Sequence, residues 1–300
     1  MTLAPIAVFA YRRPGHLQRC LESLAGAELA SQSDLHIFCD GPRTDADASA
    51  VEEVRSVASH AAGFRSVSII AQEQNRGLAA SIIAGVTALC ERSGRVIVVE
   101  DDLVMAPCFL RFMNDALDRY EEDDQVMQIA GYAFPVDATF STKAVFLPFI
   151  SSWGWATWHR AWQHFDSAMK GYDLLKASAH RRYKFDLDGS YDYFAMLERQ
   201  LRGEIDSWAI RWHLSCFLRH GLTLYPGITL VHNLGFDGTG THAGSNSEYL
   251  PAVRFPGADH RFLLPSELRV EPSAYRQVKR VLRPTAARRG LFRRVANLWS

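Results

Sequence analysis

The sequence predicts an α/β protein built on a mostly parallel sheet, and three observations carry that expectation. Strand-like and helix-like segments alternate through the first hundred residues, the pattern of right-handed βαβ units. The run Val96-Ile97-Val98-Val99 is apolar, unbroken and β-branched throughout, as in a strand buried on both faces. Three of the first four strands end on polar or charged residues: Arg12-Arg13, Asp40, and Glu100-Asp101-Asp102. In a parallel sheet those ends share one edge, where open α/β folds bind ligands.

Residues 6–10 read as the first strand and 14–24 as a helix, with Pro14 in the first turn, where a missing N–H costs nothing. Residues 35–39 form a second strand, stopped by the turn signature Asp40-Gly41-Pro42. A helix over 46–62, a strand over 67–71 and a helix over 78–91 lead to the strand that carries the acids. Beyond Pro107 the pattern changes: a helix over 109–120, extended segments at 126–130 and 144–149, and helices over 191–202 and 208–220. A short strand at 228–231 runs into a Gly- and Thr-rich stretch ending at His242, a mobile loop by composition. Trp155, Trp158 and Trp162 follow helical spacing, which assigns Trp158 and Trp162 to packing.

Composition sets limits. At 48% hydrophobic residues, 300 residues can bury a substantial core. A formal net charge of zero removes any general attraction to nucleic acid. Five cysteines without CxxC pairing fit a reducing compartment rather than a disulfide framework or a zinc site. The N-terminus enters a strand without a charged n-region and apolar core, and no stretch has the length of a membrane span. The expected location is cytoplasmic. From Arg276 onward there are eight basic residues and no acid, interspersed with apolar ones. That tail reads either as a peripheral contact with the inner face of an anionic membrane or as a helix docked on the domain.

Three adjacent carboxylates repel one another unless a divalent cation, a hydroxyl-rich ligand or basic side chains compensate. Asp102 is the expected cation ligand, with Asp101 on a sugar hydroxyl or behind the metal, and hard oxygen ligands suit Mn²⁺ or Mg²⁺. Asp40 reads either as a contact to a base or ribose or as an Asp-Gly turn residue. Arg12 or Arg13, following the first strand, is placed to touch a nucleotide. Trp153, Gly154 and Trp155 form a turn that could stack on a sugar, with Gly154 allowing close backbone approach. Asp206 is either a helix N-cap or a general base over an acceptor hydroxyl. His242 could complete a cation or diphosphate shell.

Together these residues resemble a known family. The first strand with Arg13, the helix bearing Arg19-Cys20-Leu21, Asp40, and Val98-Val99-Glu100-Asp101-Asp102-Leu103 resemble the animal N-acetylglucosaminyltransferase I family. Gly154-Trp155 with Trp162, and Asp206-Ser207-Trp208, are similar to it as well. The segment from Ser152 to Trp158 resembles bacterial sugar transferases of the GT-A type. The resemblance spans roughly residues 5–245. It implies a GT-A fold, Rossmann-like, with a C-terminal acceptor-side lobe, and an inverting, Mn²⁺-dependent glycosyl transfer from a nucleoside-diphosphate sugar, UDP-linked by analogy. The acid run stands where that family has its DXD-type motif: Asp102 matches the metal ligand, with Glu100 and Asp101 near the nucleotide-sugar. Arg13 and Asp40 match nucleotide contacts, Asp206 the catalytic base, and His242 a histidine of the closing loop. Residues 1–125 are then the nucleotide-sugar-binding half, 126–265 the acceptor-binding and catalytic half, and 266–300 the basic tail. The acceptor is a hydroxyl of a glycan or glycolipid, which suits polysaccharide biosynthesis. Residues 123–151 depart from the animal enzymes, so the acceptor's identity does not carry over. Two other readings stand beside this one: a sugar nucleotidyltransferase, whose Gly-rich loop and lysine after the first strand are missing from Ala10-Tyr11-Arg12-Arg13-Pro14, and a non-catalytic carbohydrate-binding or envelope-assembly protein.

Overall fold

Alternation along the first hundred residues closes into one sheet. The computed structural model describes residues 2–235 and 255–283. Four βα repeats come first: β1 (Ile6–Ala10), α1 (Pro14–Ala25), β2 (Asp34–Cys39), α2 (Ala48–Ser59), β3 (Ser66–Ala71), α3 (Leu78–Ser93), β4 (Arg95–Glu100), then the short β5 (Leu103–Met105) and α4 (Phe109–Arg119). The second half holds β6 (Val126–Ala130), β7 (Ala144–Leu147), β8 (Trp155–Trp158), α5 (His159–Trp162), α6 (Tyr172–Lys176), α7 (Ala179–Phe185), α8 (Tyr193–Leu201), α9 (Trp208–Leu218), β9 (Leu222–Pro226), β10 (Val231–Asn233) and α10 (Pro272–Leu282).

Eight strands are ordered β3-β2-β1-β4-β8-β6-β9-β7. The first four are mutually parallel, and β6 and β9 run with them, while β8 and β7 are antiparallel to their neighbours. The expected mostly parallel α/β sheet is what forms. Its two faces bury separate cores. In β4, Ile97 and Val99 face the layer of α1, α2 and α4, while Val96 and Val98 face α3 and the helices of the second half. That two-sided burial is why the strand has no polar alternation.

The tryptophan segment departs from expectation. Trp155 and Trp158 lie on a central strand, β8, between β4 and β6, not on a helix. Side chains three apart on a strand point to opposite faces. Trp155 therefore enters one core and Trp158 the other. A spacing of three fits a two-sided strand as well as a helix, and here burial on both faces decided.

The exposed rim of β7 is covered by the returning chain through bridges Lys143↔Leu263 and Phe146↔Val270. That chain then forms α10, which docks by burying Ala274, Val278 and Leu282. Lys279 Nζ of α10 lies 2.6 Å from Asp188 Oδ2, and Lys184 of α7 holds Oδ1 of the same carboxylate at 2.7 Å. The described part of the basic tail is thus a docked helix; residues 284–300 lie outside the described residues. Among the described residues no helix is long and apolar enough to cross a membrane.

Candidate active site

Backbone hydrogen bonds continue the sheet past its carboxyl edge. Asp40 N donates to Ala10 O at 3.0 Å, and Asp101 N to Phe9 O at 3.0 Å. These bonds bring Tyr11-Arg12-Arg13, Asp40 and the acid run side by side. Arg13 occupies the N-cap position of α1, its carbonyl accepting from His16 N and Leu17 N. Its guanidinium turns back onto the acids. One nitrogen donates to Asp101 Oδ1 and another, at 3.0 Å, to Asp102 Oδ2. The Tyr11 amide donates to Asp101 Oδ2 at 3.1 Å.

The electrostatics follow from burial. Asp101 and Asp102 are buried. Desolvation, then the charges of Asp102 and Asp101, raises the Glu100 carboxyl well above its usual range, against a lowering by Arg13. Desolvation also raises Asp101, with Arg13 and the Tyr11 amide acting in the opposite direction. Burial alone would lower the Arg13 guanidinium, but the two carboxylates outweigh it and hold it fully charged.

Asp102 carries the strongest sign of a ligand. Its Oδ1 is buried and has no hydrogen-bond partner. A buried carboxylate oxygen without a partner is costly, and native structures rarely leave one unless a water or ion takes it. The chain leaving β10 passes directly over this residue: Leu234 N donates to Asp102 O at 2.7 Å, and a Cβ at Gly235 would overlap the Asp102 carboxylate. Among the described residues no three His, Cys, Asp or Glu side chains converge on one point as a closed metal cage. The orphaned Asp102 Oδ1 is compatible with a hard cation held by one carboxylate, its other sites left to water and phosphate oxygens. His242 lies outside the described residues.

Asp40 is more than a turn residue. Its Oδ1 accepts from the amides of Gly41 at 2.9 Å and Arg76 at 2.8 Å, and its Oδ2 from Asn75 Nδ2 at 3.0 Å and the Gly77 amide at 2.9 Å. It ties the end of β2 to the loop that enters α3. Gly41 has no room for a side chain, since a Cβ there would lie 2.5 Å from the Gln74 carbonyl carbon. Sequence reasoning missed this second loop; the readable signal was Asn75-Arg76-Gly77 immediately before the helix.

The turn at residues 153–155 needs correction. Trp155 is fully buried, with Trp208 stacked 4.8 Å away and Trp162 at 5.8 Å. Gly154, at φ 55, makes its close approach to protein rather than to a ligand: a Cβ there would sit 2.8 Å from Val231 Cγ1. Gly131 N donates to Gly154 O at 2.6 Å, and Phe109 closes the other side. Trp153 is half-buried, edge-on to Tyr132 at 4.9 Å. Of the three, it alone keeps ring surface for a sugar.

Asp206 is not the N-cap of α9. Ser207 is, accepting from Ile210 N, while the Asp206 side chain is 65% exposed and ion-paired with Arg211. Its place follows from packing. Trp208, two residues on, stacks on Trp155, which registers opposite Val98 of β4. The start of α9 thus lies toward the carboxyl end of β4, where the acids are.

The family described as Glycosyl transferase family 2 matches residues 6–184. Two solved structures are similar at 12% identity. One is S. aureus TarS, with a TM-score of 0.41 over 78% of this chain and 37% of that one. The other is glucosyl-3-phosphoglycerate synthase from Mycobacterium tuberculosis, in complex with Mn²⁺, UDP and glucosyl-3-phosphoglycerate, with a TM-score of 0.36 over 55% of this chain and 58% of that one. This chain therefore spans less than two thirds of either. No curated protein matches the chain. The family match bears on the glycosyltransferase reading and not on the finer resemblance to N-acetylglucosaminyltransferase I.

Proposed function

This chain belongs to glycosyl transferase family 2, and we propose that it moves a sugar, with inversion, from a UDP-linked donor to a hydroxyl of a glycan or glycolipid acceptor, with Mn²⁺ or Mg²⁺. It is a glycosyltransferase of GT-A fold that uses a nucleotide-sugar. The observation that carries the finer reading is the buried, unpartnered Asp102 Oδ1 at the carboxyl edge beside Arg13.

The residues divide the work. The loops joined by Asp40 form the floor for the base and ribose. Arg13 and the N-terminus of α1 receive the diphosphate, since a guanidinium and the dipole of a helix start both favour an anion. Asp102 would hold the cation, with Glu100 and Asp101 near the nucleotide-sugar. The cation, when bound, supplies charge neutralisation on the departing diphosphate. Trp153 lies beside the sugar or acceptor, and Trp155 and Gly154 support it from the core. Asp206 takes the proton from the acceptor hydroxyl as that oxygen attacks the anomeric carbon from the side opposite the nucleotide. Residues 1–125 then serve the donor and 126–265 the acceptor.

The test is thermal unfolding with nucleoside diphosphates and nucleotide-sugars, each with and without Mn²⁺. A ligand of the folded state raises the midpoint. A Mn²⁺-dependent rise with UDP, lost in Asp102→Ala, supports the assignment; a rise unchanged in that variant overturns it.

A further inference from the structure

Arg13 stands where the acid run calls for a cation. Its two terminal nitrogens reach two different carboxylates, Asp101 Oδ1 and Asp102 Oδ2. The side chain is 19% exposed, against 3% for Asp101 and 12% for Asp102, so this bridge is little screened by water. A guanidinium does not deprotonate, so it can release Asp102 only by moving.

We propose that Arg13 is an exchangeable counter-cation: in the free protein it neutralises Asp101 and Asp102, and on donor binding it transfers from Asp102 to the nucleotide diphosphate. The inference rests on the reading of Asp102 as the cation's ligand. Four features carry it. Asp102 already spends Oδ2 on Arg13, while Oδ1 is buried without a partner. A divalent cation taken by Oδ1 would share this carboxylate with the guanidinium and be repelled by it until the guanidinium leaves. Arg13 is anchored at the N-cap of α1, so its side chain pivots at the helix start that favours an anion. Gly15, two residues on in the first turn, has nothing within 4 Å of where a Cβ would stand, so the helix start is open.

The consequence is coupling. The diphosphate draws Arg13 off Asp102 and opens it to the cation, and the cation in turn frees Arg13 for the diphosphate. Each ligand strengthens the other by the same factor.

The experiment measures Mn²⁺ affinity by electron paramagnetic resonance of free Mn²⁺, with and without UDP, GDP, CDP or dTDP. It uses the full chain and its Arg13→Met, Arg13→Lys and Asp102→Asn variants. The wild type is expected to bind Mn²⁺ at least about tenfold more tightly with its preferred nucleotide than alone. Arg13→Met is expected to bind Mn²⁺ alone about tenfold better than the wild type and to lose most of that dependence. Arg13→Lys, which keeps the charge, should stay close to the wild type. Should Arg13→Met fail to fold, the wild type still decides: a ratio near one with all four nucleotides overturns the proposal. Asp102→Asn separates the two readings. Mn²⁺ binding that survives it removes the cation assignment itself. Binding lost there but unchanged in Arg13→Met overturns only the exchange.

Discussion

Asp40 accepts four hydrogen bonds from two loops, and Asp40→Ala leaves the Arg76 and Gly77 amides without their acceptor. These donors are part-buried, so water recovers some of the loss and the variant should lose about 1–3 kcal/mol of stability, read by urea unfolding. It should also bind nucleotide more weakly, because the floor of that site is the same pair of loops. Asp206 predicts the opposite separation. Its exposed carboxylate is ion-paired with the largely buried Arg211, and Asp206→Asn keeps an oxygen to accept from that guanidinium, so the variant should fold with a midpoint close to the wild type. Turnover should fall by roughly 10²–10⁴-fold, the range for a lost general base, with nucleotide affinity unchanged by calorimetry. Equal loss of turnover and nucleotide affinity would remove Asp206 from the role of base.

Strand β8 and the strap formed by β5 and β10 meet where two glycine backbones touch. Gly131 N donates to Gly154 O at 2.6 Å, and a Cβ at Gly131 would lie 2.7 Å from Phe109 Cε2. Gly131→Ala must therefore push Phe109 aside, a case of overpacking that typically costs about 1–3 kcal/mol. The effect should extend to activity, since Val231 of the strap touches the same point and the strap leads to Leu234 and Gly235 over Asp102. A variant with unchanged midpoint and activity would show that the two glycines are not what seats the strap.

His213 links the whole molecule's stability to pH. It is fully buried between Phe185 at 4.6 Å and Tyr193 at 4.5 Å. Burial pushes its pKa down to about 4, from an ordinary value of 6.5. As pH falls from 6.5 toward 4, the unfolded chain takes up this proton and the folded one does not, so stability falls through that window and levels off below it. The full effect is about 3 kcal/mol. Carboxyls raised by desolvation, such as Glu100 and Asp101, act in the opposite sense over this range, so the comparison isolates His213: between pH 7.5 and 4.5 the wild type should change less favourably than His213→Leu by about 2–3 kcal/mol in urea unfolding. Equal pH dependence in the two proteins would place the titration elsewhere.

Much of this was legible from residue type and order. The β-branched run into Glu100-Asp101-Asp102 announced a central strand buried on both faces with acids at the ligand-binding edge, because burial and β-branching leave a local signature. Pro14 marks a helix start and Asp40-Gly41 a turn for equally local reasons. What the chain does not write locally is pairing. Whether Trp155 and Trp158 sit on a helix or on a strand depends on whether two cores exist to receive them, and only the insertion of β8 between β4 and β6 settles it. That insertion buries Trp155 and seats Gly154 against Gly131 and Val231 rather than against a ligand. Likewise Arg13 and Asp102, 89 positions apart, become partners only through the parallel pairing of β1 with β4. Local sequence determines which groups stand at the edge of a sheet; the tertiary structure determines which of them meet, because a contact between distant residues depends on the register of strands and not on either residue alone.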